Sequence, residues 1–524
     1  MTRRNIPSKR SRKQRCLAGG AALLTALAAS RAGATGTNDP LMQVLIRKGV
    51  ITEQEAIEIA REVQTNTPPA AVAPETLTNA PATNAPAARA ATPATAATPP
   101  SDASKWKLSK AIKDIGLYGD LRFRYEYRGA DNLPGASPST YYLERFRYAA
   151  RIGIRGDLVD RFNYGLRIET GSNPRSPWVT FANDSNPTPS SKANDGIYIG
   201  QAYLGWKPAD WYEMTIGKMP MPIYTTPMVW DSDINPEGAF EKVKASVGQV
   251  DLFCGLGQFI YQDVNPSDNI PSSSAFLWAW QVGGTLHIDK YSSFKIAPVY
   301  YNHTGQGSSA QLNAPFVGQG GPVPQGTNVN TIAYNQNGIN NLSIIEVPAE
   351  YNLKMGLYHL RLFGDLAFNI QGNERAQAAW NVGRTVNAFP AYPTEAPKNQ
   401  NLAYQFGIGF GSEDIVYGPT QGVVYGSGSR RNAWEARVYW QHVEQFALDV
   451  NTLDSDFFEG RGNLEGIYTA FAYSFTDCII GTVRYGYAKR ITTTLDTGGY
   501  NPDLQALNPI DNYNLFQFDL TWRF

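Results

Sequence analysis

The sequence predicts an all-β fold: a sixteen-stranded antiparallel transmembrane β-barrel (sixteen or eighteen strands, depending on one long join), preceded by a short helical segment and a Pro/Ala linker. Three observations predict it. From about residue 115 to residue 524, apolar and polar side chains alternate with period two, in segments as long as the 9–11 tilted residues, roughly, that cross a bilayer. The connections alternate in length: 158–160, 207–210 and 248–249 are tight, whereas 171–194, 262–275, 303–343 and 372–400 are long and polar. That is the asymmetry of a membrane barrel, with short turns at one rim and long loops at the other. Finally, Tyr, Trp and Phe gather near strand ends, as interfacial girdles require.

Taken in chain order, residues 1–34 hold eight Lys or Arg and no acid, followed by an apolar run and Ala32-Gly33-Ala34. They read as a secretory signal peptide, too short to span a membrane. Residues 35–65 read as a periplasmic helical hairpin. Leu41, Val44 and Leu45 share one helical face, Gly49 ends the first helix, and Thr52 with Glu55 makes a capping box for the second. So short a segment cannot bury a core alone. Residues 66–104 are dominated by Pro, Ala and Thr and read as a disordered linker, because little apolar surface offsets the cost of ordering them. The barrel is expected over 105–524.

The strands are expected at 115–128, 143–157, 161–170, 196–207, 211–219, 240–248, 250–261, 276–288, 290–302, 344–353, 357–371, 402–411, 432–448, 467–476, 478–490 and 513–524. In the first, Leu121, Phe123, Tyr125 and Tyr127 alternate with Arg122, Arg124, Glu126 and Arg128. In the second, Phe146, Tyr148, Ala150, Ile152 and Ile154 alternate with Arg145, Arg147, Arg151 and Arg155. The last sets Phe516, Phe518, Leu520, Trp522 and Phe524 against Gln517, Asp519, Thr521 and Arg523. The join 412–431 is long for a short-turn side.

Composition excludes several classes. The chain carries 46 Lys+Arg and 46 Asp+Glu, so without residues 1–34 the balance is 38 − 46 = −8. An acidic chain lacks the basic stripe of a nucleic-acid binder. Of three cysteines, Cys16 lies in the leader, and Cys254 and Cys478 fall on distant strands, so no disulfide framework is expected. The four histidines, His287, His303, His359 and His442, have no nearby Ser/Asp pattern of catalytic spacing. Neither an enzyme nor a cofactor is expected.

The signal peptide, the pre-barrel helices, the Arg-rich second strand, the terminal Phe524, and the stretches GKMPMPIYTTPMVWDSDINPEG (217–238) and TLDSDFFEGRGNLEG (452–466) together resemble the bacterial outer-membrane putative porin family. The resemblance covers about 105–524 well and 39–64 moderately. It implies a water-filled channel in a Gram-negative outer membrane, surrounded by lipid and assembled as a homotrimer. It also implies that Phe524 is recognised by the barrel-assembly machinery, and that the loop after the fifth strand narrows the channel.

By the strand count that loop is 220–239, carrying Asp231, Asp233 and Glu237. The expected pore-lining wall is Arg122, Arg124, Arg145, Arg147, Arg151, Arg155 and Arg167. An Arg facing lipid at the bilayer midplane costs about 2–4 kcal/mol, so these should face water or acids. Acids opposite arginines would set a transverse field. Equally, the arginines could pair with Glu126, Glu144, Glu169 or the loop acids and hold the loop in place. Asp231, Asp233 and Glu237 with Asp454 and Asp456 also invite a Ca²⁺ reading, but D-S-D is too short a pattern to specify a metal site. Two further readings are an anion- or sugar-selective channel and a plugged barrel tethering the envelope to peptidoglycan through 39–64.

Overall fold

The computed structural model describes residues 109–524, except 133–138, 172–175, 183–194, 264–273, 306–338, 387–393, 413–429, 498–502, 505–506 and 508. The expected signal peptide (1–34), helical hairpin (35–65) and linker (66–104) lie outside the described residues, as does most of the join 412–431.

Sixteen antiparallel strands form one closed sheet. They are β1 (Gly116–Asn132), β2 (Ser139–Asp157), β3 (Phe162–Gly171), β4 (Gly196–Ala209), β5 (Tyr212–Lys218), β6 (Glu237–Val247), β7 (Val250–Gln262) and β8 (Ala275–His287). Then come β9 (Ser292–Ile296 and Val299–Gly305), β10 (Ser343–Glu346 and Ala349–Met355), β11 (Tyr358–Asn369), β12 (Leu402–Ser412), β13 (Trp434–Val443), β14 (Leu464–Ser474), β15 (Ile479–Arg490) and β16 (Asn512–Arg523). One helix, α1 (Gly372–Val386), lies in the β11–β12 connection.

β9 and β10 are interrupted at the same level, by Pro298 and Pro348. Proline has no N–H for the ladder. The wall stays joined because Ala297 N–H donates to the Pro348 carbonyl (3.1 Å) and Val282 N–H to the Pro298 carbonyl (3.0 Å). Closure is made by β1 against β16, in register from Asp120↔Arg523 to Asp131↔Asn512. Every backbone group facing lipid must be paired within the protein, and only a closed sheet achieves this.

The two faces are inverted relative to a soluble protein. Outward side chains are apolar and exposed, among them Leu117, Phe146, Ile199, Val282 and Phe406, whereas Arg124, Glu126, Arg151, Glu346 and Asp519 are buried on the inner face. Among the described residues no helix is long and apolar enough to cross a membrane; the strands do the crossing.

At the seam, Phe524 N–H donates to the Gly119 carbonyl (3.2 Å) and Gly119 N–H to the Phe524 carbonyl (3.0 Å). A Cβ on Gly119 would lie 2.4 Å from the Arg151 carbonyl oxygen and 2.5 Å from the Phe524 ring. Gly119→Ala is therefore expected to destabilise the closed barrel by about 1–3 kcal/mol through overpacking. A lowered urea midpoint for loss of the heat-modifiable folded band would show this, and an unchanged midpoint would contradict it.

Candidate functional site

Register decides which arginines share the lumen. Arg124 stands opposite Arg147 on β2 and Asp519 on β16, while Arg151 stands opposite Glu169 on β3 and Gly153 opposite Arg167. All seven expected arginines therefore fall on the inner face. They do not stand as bare cations. Fully buried Glu126 gathers Arg128 (3.1 Å), Arg145 (2.5 Å), Arg124 and Arg147 (both 3.7 Å). Arg124 Nε donates to Asp519 Oδ1 at 2.7 Å, and Arg484 joins the same carboxylate at 2.5 Å. Arg122 pairs with Asp120 (2.6 Å) and Arg167 with Glu169 (2.9 Å). Arg155 stacks over Tyr118 at 4.8 Å and forms no ion pair among the described residues. Isolated charges could not be buried at this density, but paired ones can.

The loop between β5 and β6, residues 219–236, turns into the barrel. Met219, Ile223, Met228, Val229 and Trp230 are buried along it. Its far tip is pinned to the opposite wall. Thr225 Oγ1 donates to Glu346 on β10 (2.6 Å), Thr226 Oγ1 bonds Asp365 on β11, and Gln281 on β8 both donates to the Tyr224 carbonyl (2.7 Å) and accepts from its N–H (2.9 Å). Arg151 holds the near side through Asp233 at 3.2 Å.

Glu237 does not join Asp231 and Asp233. It is the first residue of β6 and shares the outward face with exposed Val243 and Val247. There it pairs with Lys218, also outward, at 2.9 Å.

A second inward loop, residues 444–463 between β13 and β14, was not foreseen as part of the constriction. Phe446, Leu448, Phe457 and Phe458 bury its base. Asp231 N–H donates to the Thr452 carbonyl (2.6 Å), and Asp454 N–H to that of Pro227 (3.3 Å). Ser455 N–H and Oγ both donate to Asp231 Oδ2, at 3.2 and 3.1 Å. Thus Asp231-Ser232-Asp233 meets Asp454-Ser455-Asp456, and the two sequence motifs form one clasp across the lumen.

The clasp borders a gap of about 70 Å³. Arg122, Arg124, Arg361, Arg437 and Arg484 line it together with all four aspartates. Arg361, Arg437 and Arg484 were not assigned from sequence, although their alternation puts them on the inner face. Trp178 also reaches the gap, because Val179–Thr180 folds back onto β2 and sets its ring 4.0 Å from the Arg124 guanidinium.

Burial, and then repulsion from Asp233 and Asp456, push the Asp231 carboxyl up to about 7. Burial and the three neighbouring aspartates likewise raise Asp454 well above the usual carboxylate range. Burial acts in the same direction on Asp456, but Arg124 and Arg128 outweigh it and hold that group down at about 2.

The histidines sit elsewhere. His287 meets Asp251 at 2.8 Å, but Ser246 donates to Asp251 rather than to the imidazole, so no hydroxyl stands where a ring nitrogen could activate it. Among the described residues no three His, Cys, Asp or Glu side chains converge as a metal site.

A family model described as Putative porin matches residues 132–524. Among solved structures the chain is similar to outer-membrane-expressed OmpT of Vibrio cholerae, with 11% identity, 79% of this chain and 100% of that one covered, and a TM-score of 0.37. It is also similar to the outer-membrane channel DcaP of Acinetobacter baumannii, with 13% identity, coverage of 80% and 99%, and a TM-score of 0.37. An anion-selective porin from Comamonas acidovorans shows 8% identity, coverage of 78% and 99%, and a TM-score of 0.36. No curated protein matches.

Because Asp231 is raised in the folded clasp, its contribution to the clasp's stability is full below the ordinary aspartate value of 3.8 and is lost as pH rises through about 7. Single-channel recording from about pH 5 to about pH 9 should show a rise in conductance or gating noise centred near 7, which Asp231→Asn abolishes. A flat profile in the unsubstituted protein would contradict the clasp.

Proposed function

The chain belongs to the putative porin family and is an outer-membrane porin that forms a channel, and we propose that its solutes are selected by charge at the gap between the two inward loops and the arginine wall. The observation that carries this reading is the sharing of one 70 Å³ gap by five arginines and four aspartates. With the Asp231 and Asp454 carboxyls both raised, the five arginines on the gap outweigh its four aspartates, while wall acids such as Asp519 and Glu350 offset part of that positive charge. At an effective dielectric of about 20, a unit charge about 4 Å away is worth about 4 kcal/mol, enough to favour anions strongly over cations. Dipolar solutes can align between wall and clasp. Apolar ones cannot replace the water ordered there.

The convergence of five arginines and four aspartates on one gap favours a charge-selective filter. Expected roles divide accordingly. Arg122, Arg124, Arg361, Arg437 and Arg484 face the permeating solute, Arg145, Arg147 and Arg151 position the loops, and Arg155 and Arg167 line the lumen beyond. Asp231 and Asp233 belong to the constriction, and Glu237 does not.

Glu237 instead supports assembly into a homotrimer. Lys218, Glu237, Glu241 and Gln258 all face outward on β5–β7, by register with Ile216, Ala239 and Leu256. Charged side chains facing hydrocarbon cost up to about 2–4 kcal/mol each, with acids at the lower end. A neighbouring copy covering this patch would remove that cost.

Under a KCl gradient in a planar bilayer, the reversal potential should report anion preference. Arg361→Gln combined with Arg437→Gln should bring it toward zero, and Arg151→Ala should raise conductance by releasing the loop. Cation preference in the unsubstituted channel, or no change in these variants, would reject the reading. For assembly, Glu241→Lys should shift unheated protein from trimer toward monomer on a gel while the folded monomer band persists. An undiminished trimer would place the interface elsewhere.

A further inference from the structure

We infer that the lumen holds a second solute site, on the short-turn side of the 219–236 loop, built to take a small organic carboxylate with an apolar body. The inference rests on the lumen being a water-filled channel but concerns a separate cavity that shares no lining residue with the gap at the clasp.

The site is a cavity of about 480 Å³ beneath Met221–Tyr224. Its polar wall is Lys242 and Lys244 from β6 and Lys295 from β9, all directed inward. Lys242 stands opposite Gly255, Lys244 opposite Phe253, and Lys295 opposite Thr285. Absent side chains make the room. The Phe253 ring lies where a Cβ on Gly283 would come within 2.5 Å of it, so glycine there lets the ring lie flat on the wall.

The lysines differ in how far they are neutralised. Glu213 takes Lys244 at 2.8 Å and reaches Lys242 only at 4.0 Å. Asp251, the acid that lines the cavity, accepts from Ser246 (2.6 Å) and meets His287 (2.8 Å). Lys295 stands opposite Glu350 on β10, but that carboxylate pairs with Arg361 at 2.6 Å, and among the described residues Lys295 has no carboxylate within 4.0 Å. Its ammonium rests instead 3.5 Å from the centroid of the Tyr224 ring and 5.9 Å from that of Phe253, and Lys242 lies 4.8 Å from the same Phe253 ring. Two ammoniums thus lie near one aromatic ring, whose quadrupole holds them less strongly than a close acid would.

A carboxylate entering between Lys242 and Lys295 gains two charge-assisted contacts. The rest of the molecule can lie on Phe253, Met221 and Ile223. The apolar floor selects against inorganic phosphate, which stays strongly hydrated and is best held by the planar forks of arginine. A cavity of this size is in the range that encloses a small organic ligand.

Benzoate is the probe. Calorimetric titration into the purified, detergent-solubilised protein reads binding without any need for conductance, so a channel that fails to conduct would not disguise the result. Binding is expected in the unsubstituted protein, weakened at least about tenfold in Lys295→Met and in Lys242→Met. Lys489→Met, which removes an exposed ammonium paired with Glu465 and bordering neither the cavity nor the gap, should leave it unchanged. Heat-modifiable migration confirms that each variant folds, and two separate lysine variants guard against loss of one. Equal affinity in both lysine variants, no binding at all, or displacement of benzoate by inorganic phosphate at equal concentration would each overturn the inference.

Discussion

Everything inside this barrel depends on neutralising buried arginine. Once β1 and β2 place seven guanidiniums on the inner face, each needs a carboxylate or a ring nearby, because an unpaired buried ion costs several kcal/mol. Glu126 and Asp519 meet part of that demand from within the wall. Asp456 and Asp233 add to this from the two loops, through Arg124 at 2.8 Å and Arg151 at 3.2 Å. The same ion pairs therefore fasten the loops and create the field across the pore. Neither could be altered without the other.

The barrel was legible in the sequence because lipid imposes a simple rule on every strand. Period-two alternation is read directly from residues such as Phe146 to Ile154, and the strand bounds follow it closely from Gly116 to Arg523. Even the misplaced acid carried its own signal. Glu237 has the parity of Val243 and Val247, which face outward, so extending the alternation of β6 by three residues would have excluded it from the loop. Its position beside D-S-D in one motif argued the other way.

The clasp was less legible, for a different reason. Its geometry is a contact between segments more than two hundred residues apart, as between Ser455 and Asp231. Nothing local in residues 444–463 tells an inward loop from an outward one. The available hint was the repeat of Asp-Ser-Asp in the two most specific stretches. The pinning of Thr225 and Thr226 by Glu346 and Asp365 was likewise invisible, since an acid on an inner strand face looks the same whether it meets water, an arginine or a loop.

A selective channel must attract its solute without keeping it, which is better achieved by several modest sites than by one deep one. The arginines at the clasp are each offset by an acid or a ring. The lysines below are weakened differently, Lys244 by Glu213 and Lys295 by sharing its charge with two aromatic faces. An anion leaving the gap would thus exchange partly neutralised guanidiniums for partly neutralised ammoniums on the far side of the same loop. Since Tyr224 at the loop's tip carries Lys295 on its ring, while Asp231 and Asp233 face the gap, the loop is, among the described residues, the element that touches both sites. Its position sets the depth of each at once.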